Sequence, residues 1–232
     1  MNATEPRPYM VIETFTSVQG EGTRIGRLST FVRLAHCNYA CTFCDTTYAW
    51  KKGEMVTPEK MSARDLAARV DAPDAVLTGG EPLLHDLGPL LEQLGARFVT
   101  VETNASMFKP DDRVGLWSLS PKLGSSGHTP DLAVIGQYLE AFPDAVQLKL
   151  VVGGEADLRE VKDLLTALGE PARTVPVILQ PVGEAGESRD HYCEKMRALI
   201  EDLILPDTFW HGYQLQFLPQ FHKLVWQDQR GI

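Results

Sequence analysis

"STFVRLAHCNYACTFCDT", residues 29–46, starts as an apolar, β-branched run and ends as a loop holding Cys37, Cys41 and Cys44. The run reads as a buried strand. Thiols at i, i+4 and i+7 in the loop that follows can converge on one inorganic centre. A closed structural zinc site normally takes four protein ligands. His36 is a poor fourth, because neighbouring side chains rarely reach one tetrahedral ion together, and Cys193 lies far along the chain on an expected helix. A [4Fe–4S] cluster usually takes four thiolates, so three leave one iron open to a non-protein ligand. A non-catalytic zinc-binding module is the competing reading of the same residues.

Outward from this stretch, short apolar runs recur at 74–80, 97–103, 115–120, 146–152 and 174–181, and all read as strands. Amphipathic segments at 62–70, 85–95, 131–142, 155–168 and 188–205 separate or follow them, with Ser188 placed as an N-cap. Near-continuous apolar strands alternating with helices imply a parallel sheet covered by helices. About six such strands fall short of a full eight-unit barrel. An open, partial β/α barrel is the expected architecture. The polar runs "TGGEP", "ETN", "SPK" and "QPVG" sit where strands end, at the edge that carries sites in parallel α/β folds.

The 232 residues, 44% hydrophobic, suit one domain over 1–232. A formal net charge of −9 argues against sequence-independent nucleic-acid binding, which needs a field of Lys and Arg. No apolar run has the length of a membrane helix, and "MNATEPRPYM" lacks the regions of a signal peptide. Four cysteines, three of them clustered, do not suggest a disulfide scaffold. A cytoplasmic protein acting on a small molecule is expected, with neither nucleic acid nor membrane as partner.

C-x3-C-x2-C after a first barrel strand resembles the signature of the radical S-adenosylmethionine (SAM) superfamily. The resemblance implies a [4Fe–4S] cluster on Cys37, Cys41 and Cys44, with SAM chelating the open iron. Its reductive cleavage gives a 5′-deoxyadenosyl radical that takes hydrogen from the substrate. Gly80 of "TGGEP" would meet the SAM methionyl amine, and Ser120, Pro121 and Lys122 of "SLSPK" would make further SAM contacts. Phe43, Asp45 and Gln180 are carried over as cofactor-binding in the same way. Read alone, Gly79 and Gly80 let backbone approach a ligand closely, or merely punctuate a strand-to-helix turn.

The wording "VQGEG" (18–22), "FVR" (31–33), "CDT" (44–46) and "LPQFHKLVW" (218–226) narrows the resemblance to the 7-carboxy-7-deazaguanine synthases. That family converts 6-carboxy-5,6,7,8-tetrahydropterin to 7-carboxy-7-deazaguanine with loss of ammonia, reusing SAM and assisted by Mg2+. Members are typically homodimers, and the cluster needs an electron donor such as flavodoxin or ferredoxin. The resemblance implies substrate contacts at Val18, Gln19, Gly20, Glu21, Arg33, Thr78 and His222, with Glu21 and Arg33 as the catalytic pair and a C-terminal segment closing on substrate. It assigns Mg2+ to Thr46.

A pterin acid presents an aminopyrimidinone edge and a carboxylate. Gln19 offers donor and acceptor and Glu21 accepts only, so the two can read that edge; a glycine-rich hairpin with solvated tips is the plainer account. Arg33, in an apolar strand, needs an anion, either the substrate carboxylate or a structural Glu or Asp. A threonine hydroxyl suits a hard cation that keeps few protein ligands. Some relatives end in a proline whose terminal carboxylate touches substrate, whereas this sequence closes on Arg230, Gly231 and Ile232. A glycyl-radical-activating enzyme shares the cysteine spacing but acts on a protein and has no use for "QGEG".

Overall fold

The computed structural model describes residues 7–227 and 229–231, so Ile232 and any contact of its carboxylate lie outside the described residues. β1 (Tyr9–Val18) and β2 (Leu28–Leu34) form an antiparallel pair, with a register shift between Val11 and Glu13. Their connection is the "QGEG" segment, which therefore sits at the N-terminal end of β2, opposite the cysteine loop. β3 (Glu59–Met61) adds to the free edge of β1. Ser62 caps α1 (Ala63–Ala67), accepting from the Asp65 N–H, and β4 (Asp74–Gly79) follows.

The chain then alternates through α2 (Gly88–Leu94), β5 (Phe98–Thr103), β6 (Leu116–Leu119), α3 (Leu132–Ala141), β7 (Val146–Val152), α4 (Glu155–Leu168), α5 (Glu170–Arg173) and β8 (Pro176–Pro181). α6 (Arg189–Ala198), capped by Ser188, runs on as π-helical turns over Leu199–Ile204 before β9 (Gln214–Phe217) and α7 (Phe221–Val225). The sheet has nine strands in the order β3-β1-β2-β4-β5-β6-β7-β8-β9. All pairings from β2 to β9 are parallel. β3 and β9 are its two edges, so the barrel is open, as expected.

Every strand expected between residues 29 and 181 is present, and β1, β3 and β9 are additional. "QLQF" is too short and alternating to resemble the apolar strands beside it, and its burial alternates likewise. The expected helix at 85–95 begins only at Gly88, because Pro82 opens a separate 3-10 turn over Pro82–Leu84. The apolar layer between sheet and helices includes Trp117, Tyr138 and Leu165, all almost fully buried. Trp117, Tyr138 and Phe142 pack as tilted rings with centroids 4.9 to 6.3 Å apart. Among the described residues no helix is long and apolar enough to cross a membrane.

Candidate active site

The inner face of the sheet is polar where the outer face is not. Strand register sets Arg33 of β2 beside Thr78 of β4, Glu102 of β5 beside Ser118 of β6, and Ser118 beside Gln147 of β7. The Thr78 hydroxyl donates to Glu102 at 2.9 Å, and Gln147 Nε2 donates to Ser118 Oγ at 2.7 Å. A lateral row of polar side chains thus crosses strands that a buried parallel sheet would otherwise fill with aliphatics. One pleat further along, Ser120 and Lys149 continue the polar lining, and Gln180 of β8 stands one pleat beyond, beside Val151, since residues two apart share a face.

The "QGEG" segment folds into this interior from below. Gln147 Oε1 accepts from both the N–H and the hydroxyl of Thr23, at 2.8 and 2.7 Å. Gly22 has φ +70°, and a Cβ there would collide with the Gln147 amide, so both conformation and space require glycine. Gln19 is buried with its amide oriented by two bonds: Nε2 donates to Glu102 at 3.2 Å, and Oε1 accepts the Glu21 N–H at 3.1 Å. Glu21 pairs with the Lys149 ammonium through one oxygen and accepts from Gln220 Nε2 at 3.1 Å through the other. Burial alone would raise the Glu21 carboxyl, but Lys149 and then His222 hold it well below the usual carboxylate range. Burial alone would lower the Lys149 ammonium, but Glu21 and Glu102 keep it above its ordinary value.

α7 lies on the same segment. The Phe221 N–H donates to the Gly20 carbonyl at 3.0 Å, and His222 Nδ1 comes within 3.4 Å of where a Cβ on Gly20 would stand. Val18 ends β1 opposite Leu28, just outside the lining. The chain's last described residues return to the cluster side, with the Arg230 guanidinium 4.0 Å from the Tyr48 ring centroid.

Above, the cysteine loop is tied to three other loops. Asn38 donates to Ser106 at 2.8 Å and accepts from Asn104 at 2.9 Å, which gives "ETN" a structural role. Tyr39 stacks on His128 at 4.0 Å, and Thr42 donates to the Ser125 carbonyl. The "TGGEP" glycines face this loop: a Cβ on Gly80 would overlap the His36 carbonyl and lie 3.0 Å from the Cys37 nitrogen. The absence of a Cβ at Gly80 therefore serves the packing of the cysteine loop's own backbone. Glu81, fully buried, accepts from Thr103 Oγ1, Asn104 N and Leu83 N, locking the turn.

Cys37, Cys41 and Cys44 are all partly exposed and unbridged. Burial pushes the Cys37 thiol up to about 11. Among the described residues no three His, Cys, Asp or Glu side chains are arranged to hold a single metal ion. Trp50 Nε1 donates to Cys44 Sγ at 3.2 Å, and the Tyr39 N–H to Cys37 Sγ at 3.4 Å, both polarising sulfur as cluster ligation favours. Lys122 Nζ donates to Ser120 Oγ at 2.8 Å, and burial followed by the nearby Lys149 lowers its pKa. Gln180, fully buried in the same lining, has neither amide atom hydrogen-bonded within the protein. Two orphaned polar atoms in one buried side chain call for a polar partner, water or ligand.

A model of the radical SAM superfamily matches residues 32–191. Curated 7-carboxy-7-deazaguanine synthases from Pyrobaculum aerophilum and Halobacterium salinarum are 34% and 33% identical to this chain. The first alignment covers all of both chains, and the second 93% of this chain and 90% of the other. The chain belongs to the 7-carboxy-7-deazaguanine synthases of the radical SAM superfamily. The crystal structure of QueE from Escherichia coli agrees with the synthase fold at a TM-score of 0.68 and 26% identity, covering 90% of this chain and 93% of that one. SuiB of Streptococcus suis, crystallised with S-adenosylmethionine, matches at a TM-score of 0.50 and 13% identity, over 82% of this chain and 47% of its own. That likeness concerns the fold alone.

The sequence missed several residues of the synthase's interior: Glu102, which joins Gln19 to Thr78; Gln147 and Lys149, which hold the "QGEG" segment; Gln220; and the pair Glu13 and Tyr48. A signal for two of them was present, since "VQLKLVV" sets Gln147 and Lys149 two apart in an otherwise apolar strand. Arg33 is not free: its Nε donates to Glu13 Oε1 at 2.7 Å, and the Tyr48 hydroxyl donates to the same oxygen at 2.8 Å. The structural carboxylate thus holds one edge of the guanidinium and leaves the terminal nitrogens to another partner.

Proposed function

We propose that this enzyme converts 6-carboxy-5,6,7,8-tetrahydropterin to 7-carboxy-7-deazaguanine with loss of ammonia, using SAM catalytically and assisted by Mg2+. The observation that carries the reading is the polar row inside the barrel, with a fixed guanidinium at one end and carboxylate and amide groups at the other. A flat molecule with an anionic end and an N–H-rich edge is complementary to it. Arg33, turned by Glu13, grips the carboxylate with its terminal nitrogens, a planar fork that lysine cannot reproduce. Gln19 retains one N–H and one lone pair, and Glu21 retains acceptor capacity on both oxygens, so both still read the aminopyrimidinone edge. Gly20 and Thr78 line the pocket, with Val18 at its margin, and His222 on α7 closes it from water.

Cys37, Cys41 and Cys44 would hold the [4Fe–4S] cluster, leaving one iron for SAM. Bound there, SAM supplies a 5′-deoxyadenosyl radical that takes a hydrogen atom from the substrate. Ser120, Pro121, Lys122 and Gln180, with Phe43, Asp45 and Gly80, form the lining that would hold it; the unbonded Gln180 amide is the feature that best supports the fit. Thr46, buried beside the exposed Asp45 to which its hydroxyl donates at 2.7 Å, would supply a hard oxygen to Mg2+. A homodimer and a flavodoxin or ferredoxin as electron donor complete the proposal.

The test is which molecule stimulates SAM cleavage by the reduced, iron-loaded enzyme. The pterin acid is expected to raise cleavage well above the uncoupled rate and to be consumed in step with it. Stimulation by a glycine-containing protein partner, with none by the pterin acid, would instead indicate a glycyl-radical-activating enzyme.

A further inference from the structure

We propose that Lys149 is a positioning residue for the pterin: it keeps Glu21 a carboxylate, aimed into the barrel, and does so through its charge. The inference rests on the pterin reading of the pocket. Lys149 is 6% exposed, reaches Glu21 from the middle of β7, and contacts no other carboxylate directly among the described residues. Glu21 ties three elements together. Its side chain bonds to β7 through Lys149 and to the α7 N-cap through Gln220, while its N–H orients the Gln19 amide. Two of its roughly four acceptor positions remain for a ligand.

The charged and titratable groups that act on this pair come from every side. Lys149 of β7 and His222 of α7 favour the Glu21 anion. Lys122, after β6, and Tyr192, of α6, also sense it. Glu102 of β5 and Asp45 of the cysteine loop act on Lys149. Lys149 is the only cation among the described residues in direct contact with Glu21. Without it, a buried carboxylate would take up a proton rather than stay charged and unpaired. A protonated Glu21 donates from one oxygen, so it would oppose a pterin N–H donor to donor. The lysine therefore contributes to substrate recognition without touching substrate.

The acid limb of kcat/KM reports the ionisation of essential groups in the free enzyme. Because Lys149 depresses the folded-state pKa of Glu21, removing it should move that limb to higher pH. The experiment uses iron-loaded parent, K149R, K149M, E21Q and the double variant. It measures equilibrium binding of 6-carboxypterin, the oxidised form of the substrate, together with the pH profile of kcat/KM. K149M should bind roughly tenfold or more weakly, with its acid limb raised by about a pH unit or more. K149R should stay within about threefold of the parent on both measures, because it retains the charge. The double variant should lack the raised limb of K149M and should lose no more affinity than E21Q alone.

Parent-like binding with an unmoved limb in K149M overturns the proposal, as does K149R behaving like K149M. If K149M does not fold, K149Q takes its place with the same two readouts, and parent-like behaviour of K149Q overturns the proposal. Failure of the parent to bind 6-carboxypterin would remove the pterin reading itself, and this inference with it.

Discussion

Gly80 shows how closely two motifs of the sequence are fitted to each other. Its backbone lies against the His36 carbonyl, leaving no room for a Cβ, so Gly80→Ala must displace the cysteine loop. The expected result is a protein with much reduced iron after anaerobic reconstitution. Gly53 is the control, with φ +89° and nothing within 4 Å. There Ala should cost about 1–2 kcal/mol for the left-handed backbone and leave the iron content unchanged. The thiols divide in the same manner. Ala at Cys37, Cys41 or Cys44 should abolish the cluster's absorbance and turnover, whereas Cys193→Ala, on α6, should keep parent-like iron content. Thr46 gives a finer test through product formation against Mg2+ concentration. Thr46→Ala should flatten the response, Thr46→Ser should keep most of it, and an unchanged curve in Thr46→Ala would move the metal elsewhere.

Among the elements, α7 has a role that neither its length nor its propensity explains. Five residues are too few for a helix that stands by itself, and α7 is held by a backbone bond to Gly20 and by the Gln220 bond to Glu21. Phe221 is its first helical position, where proline suits the backbone, so Phe221→Pro chiefly removes the N–H that reaches Gly20. With Phe221→Ala as the control for the lost ring, Phe221→Pro should raise the KM for the pterin acid several-fold further at equal iron content. Equal KM values in the two variants would show that the backbone tie does not matter. The parallel strands were legible because burial on both faces writes them as apolar runs. β1 and β9 were not, since strands at or next to a sheet's edge mix polar and apolar residues. The interior site was legible only where it interrupted strand ends with glycine, proline or cysteine. Glu102 was marked only as part of the strand-end run "ETN" and Lys149 only as a polar interruption of β7; the register alone aligns them with Glu21, Gln19 and Thr78.

For the molecule as a whole, the open barrel brings two ends of one strand to bear on a single interior. The cysteine loop after β2 closes it above, the "QGEG" segment before β2 and α7 close it below, and the polar row lies between. The most direct measurement is product identity under limiting SAM: reduced, iron-loaded enzyme with Mg2+ and excess 6-carboxytetrahydropterin, followed by mass spectrometry with ammonia assayed in parallel. The expected result is 7-carboxy-7-deazaguanine and ammonia in equal amounts, each exceeding the SAM supplied. Recovery of the pterin acid unchanged while SAM is cleaved would contradict the account.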